Sequence, residues 1–153
     1  MGDVINKLKN VANGPYEVDI IARITETEDI LILALLSDAI RSIDSRLYVY
    51  CHLPYLPYAR ADRRFTEGDC FGLKVFADLI NAMHFDGVIT YDMHSDVALN
   101  HINKLVEVKP ERYIHKAIVD FAKTNKTKTI NVLYPDQGAA KRYKMPTKYH
   151  DIT

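Results

Sequence analysis

Three groups of charged side chains in this sequence each follow closely on an apolar run that is typical of a buried strand. The groups lie at Arg60–Arg64 after Leu53, at Asp92–Asp96 after Tyr91, and at Asp136–Arg142 after Tyr134. The first group is rich in arginine, whose planar guanidinium group matches the oxygens of phosphate. The other two offer carboxylates, which suit a hard cation such as Mg²⁺, and one histidine, which can bind such an ion through a coordinated water. Together these residue types predict a site for magnesium and a polyphosphate.

Each of these residues also has an ordinary structural interpretation. Asp92 could cap the turn after its strand, His94 could be a hydrogen-bonded turn histidine, and Asp136 follows Pro135 where aspartate is common for local reasons. The arginines could form a solvated loop. The repetition of polar groups at three successive strand ends favours the functional interpretation, while each residue alone leaves both interpretations open.

The elements that position these groups alternate between short β-rich runs and longer helical patterns. We predict strands in EVDIIARI, RLYVYCHL, DGVITYD, LVEV and TINVLYPD. We predict helices in DILILALLSDAIRSI, GDCFGLKVFADLINAMHF and PERYIHKAIVDFAKTN, the first opened by a capping-box spacing between Thr25 and Glu28, and a short basic helix after Gly138. This order is typical of βαβ units. We therefore expect an α/β fold with a mostly parallel sheet, in which ligands bind outside the carboxyl ends of the strands.

Two further expectations concern packing and the end of the chain. The helix after Cys70 carries apolar residues at helical spacing over one broad face, and we predict that this face belongs to the core. Its members are Phe71, Val75, Phe76, Leu79, Ile80 and Met83. The last ten residues, KMPTKYHDIT, have the pattern of neither a helix nor a strand.

The chain has 153 residues and a formal net charge of zero, which fits one globular domain spanning 1–153. The charge is uneven, because residues 1–45 carry eight acids against four bases and residues 109–148 carry ten bases against three acids. The basic residues are not interleaved with an aromatic platform, so we expect no nucleic-acid partner. The start has no signal-peptide pattern, no apolar run is long enough to span a membrane, and the two cysteines have no disulfide or zinc spacing. We therefore expect no membrane partner and a cytoplasmic location.

Three ordered motifs resemble the amino-terminal domain of phosphoribosyl pyrophosphate synthetase, also called ribose-phosphate pyrophosphokinase. PYLPYARADRR is similar to that family's Pro-Tyr-x-x-Tyr-Ala-Arg-Gln-Asp-Arg-Lys segment. FGLKVFADLINAMHFDGVITYDMHSD is similar to its helix, strand and Asp-Leu-His signature, and YPDQGAAKR is similar to its Ser-Pro-Asp-x-Gly-Gly-x-Lys-Arg turn. The resemblance runs from about Val18 to Arg142.

The resemblance implies a three-layer phosphoribosyltransferase-like α/β fold. It also implies transfer of the β,γ-diphosphoryl group of ATP to the 1-hydroxyl of ribose 5-phosphate, a step in nucleotide and NAD precursor biosynthesis. The residues it assigns are, for ATP, Arg60, Ala61, Asp62 and Arg63, and for magnesium, His94, Asp136 and, in a supporting position or through water, Asp92. Such a transfer depends on positioning and charge neutralisation, which agrees with the residue types found.

The sequence departs from the family pattern in ways that bear on activity. The family's glutamine is Ala61 here, so a side-chain hydrogen bond to adenine is absent, and the second glycine of the later turn is Ala139. The sequence has no counterpart of the loop with the catalytic lysine or of the loop that binds ribose 5-phosphate, so we assign no catalytic residue. We expect a partial chain that binds ATP and magnesium, lacks the carboxy-terminal half and is inactive alone. Ribose 5-phosphate is expected to bind only if the missing half is supplied.

Two interpretations from different functional classes stay open. One is the nucleotide-binding half of the diphosphokinase, and the other is a non-catalytic regulatory or associated subunit of the same family. An active phosphoribosyltransferase of another kind is disfavoured, because its ribose-phosphate loop is missing. In either case we expect a homo-oligomer, because the family builds its ATP site across subunits and an incomplete sheet leaves an edge to be covered.

Overall fold

The computed structural model of the chain describes residues 16–127, 129–134, 136–143 and 148–150. The described residues up to Val108 form one compact unit, and those from Lys109 onward form a second. The assignment of 1–153 to a single domain stays a prediction. Among the described residues, none of the helices combines the length and the apolar character that crossing a membrane requires.

The first unit is built on a sheet of four parallel strands. The strands are β1 (Glu17–Ile21), β2 (Tyr48–Leu53), β3 (Gly87–Tyr91) and β4 (Leu105–Val108), and they lie in this order across the sheet. The connections contain helix α1 (Thr27–Ile43), helix α2 (Gly72–Ala82) and a short 3₁₀ helix (Asp96–Asn100). The predicted α/β fold with a parallel sheet is therefore confirmed.

Both helices of the first unit lie on one face of its sheet. The strand order follows the chain order, and right-handed crossovers in one direction place successive helices on the same side. The core lies between the sheet and these helices. Its fully buried members are Val49, Cys51, Leu53, Val88 and Thr90 from the strands and Leu73, Phe76 and Ile80 from α2.

The start of α1 differs from its predicted cap by one position. The N-cap residue is Glu26 and the acid three residues later is Asp29, whereas the sequence pattern pointed to Thr25 and Glu28. The Asp29 carboxylate accepts hydrogen bonds from the backbone N–H groups of Thr25 at 2.7 Å and Glu26 at 2.9 Å. These bonds, the one from Thr25 first, lower the pKa of Asp29 below its ordinary value. They satisfy amide groups that have no partner inside the helix.

The apolar face of α2 is only partly core. Phe76 and Ile80 are buried as predicted, but Val75 is 55% exposed and Leu79 is 46% exposed. The prediction that these two residues belong to the core is wrong. The helical period marks an apolar face but does not determine what that face contacts.

The second unit contains helix α3 (Glu111–Asn125), strand β5 (Thr129–Asn131), helix α4 (Gln137–Arg142) and strand β6 (Lys148–His150). Strands β5 and β6 pair in an antiparallel ladder of their own. Strand β5 covers only the first three residues of the predicted strand TINVLYPD, so it is shorter than expected. The expectation that KMPTKYHDIT contains no strand is wrong, because β6 lies within it.

Candidate functional site

Two of the three polar groups lie at the same edge of the four-stranded sheet. Strands β2 and β3 are parallel neighbours, and their last paired residues are Leu53 and Thr90. The buried Thr90 hydroxyl donates a hydrogen bond to the carbonyl oxygen of Leu53 at 2.8 Å, which joins the two strand ends. The loop after β2 carries the arginine group, and the loop after β3 carries the Asp92–Asp96 group. The third group follows β5, a strand of the other sheet. The parallel pairing of β2 and β3 therefore brings together the first two groups and does not apply to the third.

The proline elbow after β2 is anchored by small and aliphatic residues. Leu56 and Ala59 are buried, whereas the rings of Tyr55 and Tyr58 are more than half exposed. The Tyr58 ring nevertheless contacts Phe76, with ring centroids 6.1 Å apart. Tyr58 has a φ of 57°, a left-handed conformation that costs a bulky residue free energy and that concentrates at functional loops.

Ala61 is built into the junction between this loop and α2. Its N–H donates to the Tyr58 carbonyl at 2.9 Å, and its carbonyl accepts from the Leu73 N–H at 3.1 Å. A β-carbon on Gly72 would lie 3.0 Å from the Tyr58 ring and 3.2 Å from the Ala61 β-carbon, so the first turn of α2 is pressed against the loop. The backbone N–H of Ala61, which could have replaced the missing glutamine contact, is therefore already used.

Asp62 links the two loops. It is 7% exposed, and its carboxylate accepts hydrogen bonds from Arg63 Nε at 2.9 Å and from the Ser95 hydroxyl at 2.8 Å. The bonds from Arg63 and then from Ser95 lower the pKa of Asp62 to about 2, so it is ionised at neutral pH. Asp62 therefore positions the loops and has little surface left for a ligand.

Arg60 has the fewest contacts among the three arginines of this group. Arg63 is paired with Asp62, and Arg64 Nε donates to the Asp69 carbonyl at 2.9 Å. Arg60 is exposed and makes no hydrogen bond or ion pair with any residue that the structure describes. Arg60 follows β2 directly before the Asp62 link, and no acidic group among the described residues compensates its charge.

The loop after β3 is hydrogen-bonded to the neighbouring strand β4. Asp92 has a φ of 50°, and its N–H donates to the Val108 carbonyl at 3.3 Å. The N–H of the buried Met93 donates to the Glu107 carboxylate at 2.9 Å. The side chains of Asp92 and His94 are exposed, and His94 lies close enough to Asp62 to contribute to the lowering of that carboxyl's pKa. No residue pattern or spacing indicated the parts taken by Ser95 and Glu107.

Asp136 lies in the second unit, where it has a local structural role. It is the N-cap of α4, and its Oδ1 accepts a hydrogen bond from the Ala139 N–H at 2.7 Å. The local structural interpretation of Asp136 therefore holds for this oxygen. A β-carbon on Gly138 would lie 3.1 Å from Oδ1, so the glycine keeps this turn open beside the carboxylate.

The exposed carboxylate and imidazole groups suit a magnesium ion that keeps several of its bound waters. Among the residues that the structure describes, no three His, Cys, Asp or Glu side chains are grouped as ligands for a metal ion. Mg²⁺ often keeps several waters and is held by one or two carboxylates together with substrate phosphates. Exposed carboxylate and imidazole groups at a strand end meet that requirement, and a closed protein cage for the metal is not formed.

A polar cleft of about 260 Å³ opens at the same edge, between the loop after β1 and the proline elbow. Its lining residues include Thr25, Glu26, Pro57, Tyr55 and Tyr58. Two of its lining residues, Pro57 and Tyr58, belong to the same loop as Arg60, and the rings of Tyr55 and Tyr58 are exposed beside it.

Comparisons with known proteins agree with the motifs. No protein-family model matches the chain. Ribose-phosphate pyrophosphokinase 2 of Archaeoglobus fulgidus is 25% identical over 130 residues, which are 85% of this chain and 43% of the relative. Ribose-phosphate pyrophosphokinase of Sulfurisphaera tokodaii is 32% identical over 93 residues, which are 60% of this chain and 30% of the relative. Most of this chain is a phosphoribosyl pyrophosphate synthetase-like domain.

The fold of this synthetase-like domain also has a counterpart among solved structures. The crystal structure of phosphoribosylpyrophosphate synthetase from Mycobacterium smegmatis is similar with a TM-score of 0.59 at 16% identity, over 72% of this chain and 37% of that chain. At this identity the likeness concerns the fold alone. The chain spans less than half the length of these relatives. The assignment of ATP and magnesium to particular residues stays a prediction.

Proposed function

We propose that this synthetase-like domain binds Mg²⁺–ATP as the nucleotide-binding part of a ribose-phosphate diphosphokinase. In that reaction the β,γ-diphosphoryl group of ATP passes to the 1-hydroxyl of ribose 5-phosphate, giving phosphoribosyl pyrophosphate and AMP. The observation that carries the proposal is the Arg60 guanidinium, which pairs with no described residue and lies on a loop fixed by Asp62 at the carboxyl edge of a parallel sheet. The names of the curated relatives support the reaction class.

The residues of the site divide into those that bind phosphate, those that position the loop and those that bind the metal. Arg60 binds phosphate oxygens through its guanidinium fork, and Asp62 with Arg63 and Ser95 keeps the loop in place. His94 holds the metal and Asp92 acts through water, while Asp136 is a magnesium ligand on the strength of the resemblance alone. Bound magnesium supplies positive charge to the phosphate oxygens during transfer.

We propose that the chain alone does not complete the reaction. The resemblance places the catalytic lysine and the ribose-phosphate loop in segments that have no counterpart in this sequence. Ribose 5-phosphate is a substrate only when such segments are supplied. A cytoplasmic location is part of the proposal, since both cysteines are free thiols and a reducing compartment keeps them so.

A second candidate is a non-catalytic regulatory or associated subunit of the same family. The specific observation in its favour is Ala61, because its side chain offers no hydrogen bond and its N–H is already bonded to Tyr58. A nucleotide held mainly through its phosphates fits this subunit as well as it fits the enzyme. The two candidates differ in whether a catalytically complete partner gains activity through this chain or is only modulated by it.

The first test is a calorimetric titration of Mg²⁺–ATP into the chain. We expect binding, and a loss of about 10- to 100-fold in affinity for Arg60→Ala, because charge-assisted hydrogen bonds to phosphate are removed. The control is Arg46→Ala, an exposed arginine that precedes β2 at the opposite end of the strand and pairs with Asp44. Equal affinities for wild type and Arg60→Ala would refute the site. Formation of AMP from ATP and ribose 5-phosphate by the chain alone would refute the proposed dependence on further segments.

A further inference from the structure

The loops that follow the first three strands of the parallel sheet contain neither asparagine nor glutamine. They span residues 22–26 after β1, 54–71 after β2 and 92–95 after β3. A carboxamide side chain presents a donor beside an acceptor, and this arrangement pairs with the edge of adenine. These three loops, all of which the structure describes, therefore lack the side-chain type best suited to identify this base.

The backbone of these loops offers few substitutes, because several of its N–H groups already have an acceptor within the protein. The groups with such an acceptor include those of Thr25 and Glu26 after β1, Ala61 and Thr66 after β2, and Asp92 and Met93 after β3. The Ala61 N–H donates to the Tyr58 carbonyl at 2.9 Å, and the Thr66 N–H donates to the Asp69 carboxylate at 2.8 Å. A bonded N–H group contacts a base only after its present bond is broken, which leaves the acceptor without its partner.

Exposed groups of the same loops suit phosphate, or bases in general. The Arg60 guanidinium, which pairs with no described residue, matches the phosphate oxygens that every nucleoside triphosphate carries. An arginine bound to phosphate is not available to the edge of guanine. An exposed carboxylate such as that of Asp92 accepts a hydrogen bond from the amino group of adenine, guanine or cytosine alike. The rings of Tyr55 and Tyr58 are 65% and 56% exposed, and an aromatic ring stacks on the face of any base.

We propose that the candidate site binds nucleoside triphosphates through their magnesium-bound triphosphate group and does not select the base. The ligand class is then the nucleoside triphosphates as a whole, with ATP as one member. This inference rests on the proposed function, because it requires that Arg60 binds phosphate. It adds which part of the nucleotide supplies the affinity, namely the chain of phosphates that all members of the class share.

The expected lack of preference among bases has a measurable size. A pair of hydrogen bonds to one base discriminates against the wrong base by about 5- to 150-fold. Stacking on an aromatic ring gives only modest preferences among bases. A site that reads the base is therefore expected to separate the nucleotides by more than about fivefold, and a site that reads phosphate is expected to stay below that limit.

The test is a set of calorimetric titrations of the full chain at one magnesium concentration. The ligands are ATP, GTP, CTP, UTP and inorganic tripolyphosphate, which has the phosphate chain and no base. We expect the dissociation constants of the four nucleotides to lie within about fivefold of one another, and tripolyphosphate to compete with ATP.

Two variants identify the group that supplies the shared affinity. Arg60→Ala is expected to weaken all five ligands by a common factor of about 10- to 100-fold, because it removes a contact that all of them make. The control is Arg46→Ala, which removes the exposed pair with Asp44 and is expected to leave all five constants unchanged. Circular dichroism and thermal unfolding verify that both variants fold.

The outcomes separate this inference from the proposed function. A preference above about fivefold for any one nucleotide, or a failure of tripolyphosphate to compete with ATP, would overturn the inference and leave the proposed function intact. Unequal losses across the five ligands in Arg60→Ala would also overturn it, because the arginine would then contact something other than the shared phosphates. Absence of binding by all five ligands would overturn the inference together with the proposed function.

Discussion

The link between Asp62 and Ser95 predicts a pH-dependent loss of stability when the serine hydroxyl is removed. Ser95→Ala deletes one hydrogen bond of 2.8 Å to the Asp62 carboxylate and leaves the bond from Arg63 in place. The pKa of Asp62 is lowered from 3.8 to about 2 by all its partners together, with Arg63 contributing before Ser95. A pKa shift of this size corresponds to roughly 2 kcal/mol of folding stability. The Arg63 side chain is largely exposed, so solvent screens its contribution, and we expect the Ser95 hydrogen bond to account for about 1 kcal/mol.

The sign of the pH dependence follows from the lowered pKa. An acid whose pKa is lower in the folded state stabilises the fold above its unfolded pKa, and this stabilisation disappears as the pH falls through the folded value. The penalty for Ser95→Ala is therefore expected in full at pH values above about 5 and is expected to shrink between about pH 4 and pH 2. Because Asp62 also holds the Arg60 loop, the affinity for Mg²⁺–ATP is expected to fall together with stability.

The assay is urea unfolding followed by circular dichroism at neutral and acidic pH, with Ser42→Ala as the control. Ser42 is an exposed serine whose hydroxyl donates to the Ala39 carbonyl within α1, so its removal involves no carboxylate. Its effect on the free energy of unfolding is expected to be small and independent of pH. A penalty for Ser95→Ala that is no larger than that of the control, or that is equal at pH 7 and pH 3, would refute the link.

Two further predictions concern the core of the first unit. Burial raises the pKa of the Cys51 thiol to about 12, whereas Cys70 is exposed. A thiol reagent is therefore expected to modify Cys70 alone in the native chain and both cysteines in denaturant. Rapid reaction of Cys51 in the native state would contradict this packing. In Gly87→Ala the new β-carbon would lie 2.8 Å from the Tyr50 ring, so we expect a loss of about 1–3 kcal/mol in urea unfolding, and unchanged stability would show that the ring is free to move away.

Local sequence patterns were sufficient to predict most elements of the first unit. The apolar run from Ile30 to Leu36 could have been a strand, but the length of the pattern and the polar residues before it indicated a helix, and α1 spans Thr27–Ile43. The failure at Val75 and Leu79 has a physical reason. Periodicity shows that a helix has an apolar face, but it does not determine how much of that face the sheet covers.

The candidate site was only partly predictable for a different reason. Parallel strands bring their carboxyl ends to one edge, so the proximity of the loops after β2 and β3 followed from the βαβ order. The bond from Ser95 to Asp62 and the bond from Met93 to Glu107 depend on side-chain geometry across separate loops. No spacing in the sequence encodes such contacts. The placement of Asp136 could not follow from the same argument, because β5 pairs with β6 in a separate sheet.

The most direct test of the central claim is the dependence of ATP binding on magnesium. Calorimetric titrations of ATP are carried out with magnesium and with a chelator, for wild type, His94→Ala and the control His115→Ala, which changes an exposed histidine of α3. We expect magnesium to raise the affinity of wild type and of the control by about tenfold or more, and His94→Ala to lose most of that gain. An affinity that is the same with and without magnesium, or a full magnesium effect in His94→Ala, would contradict the proposed site.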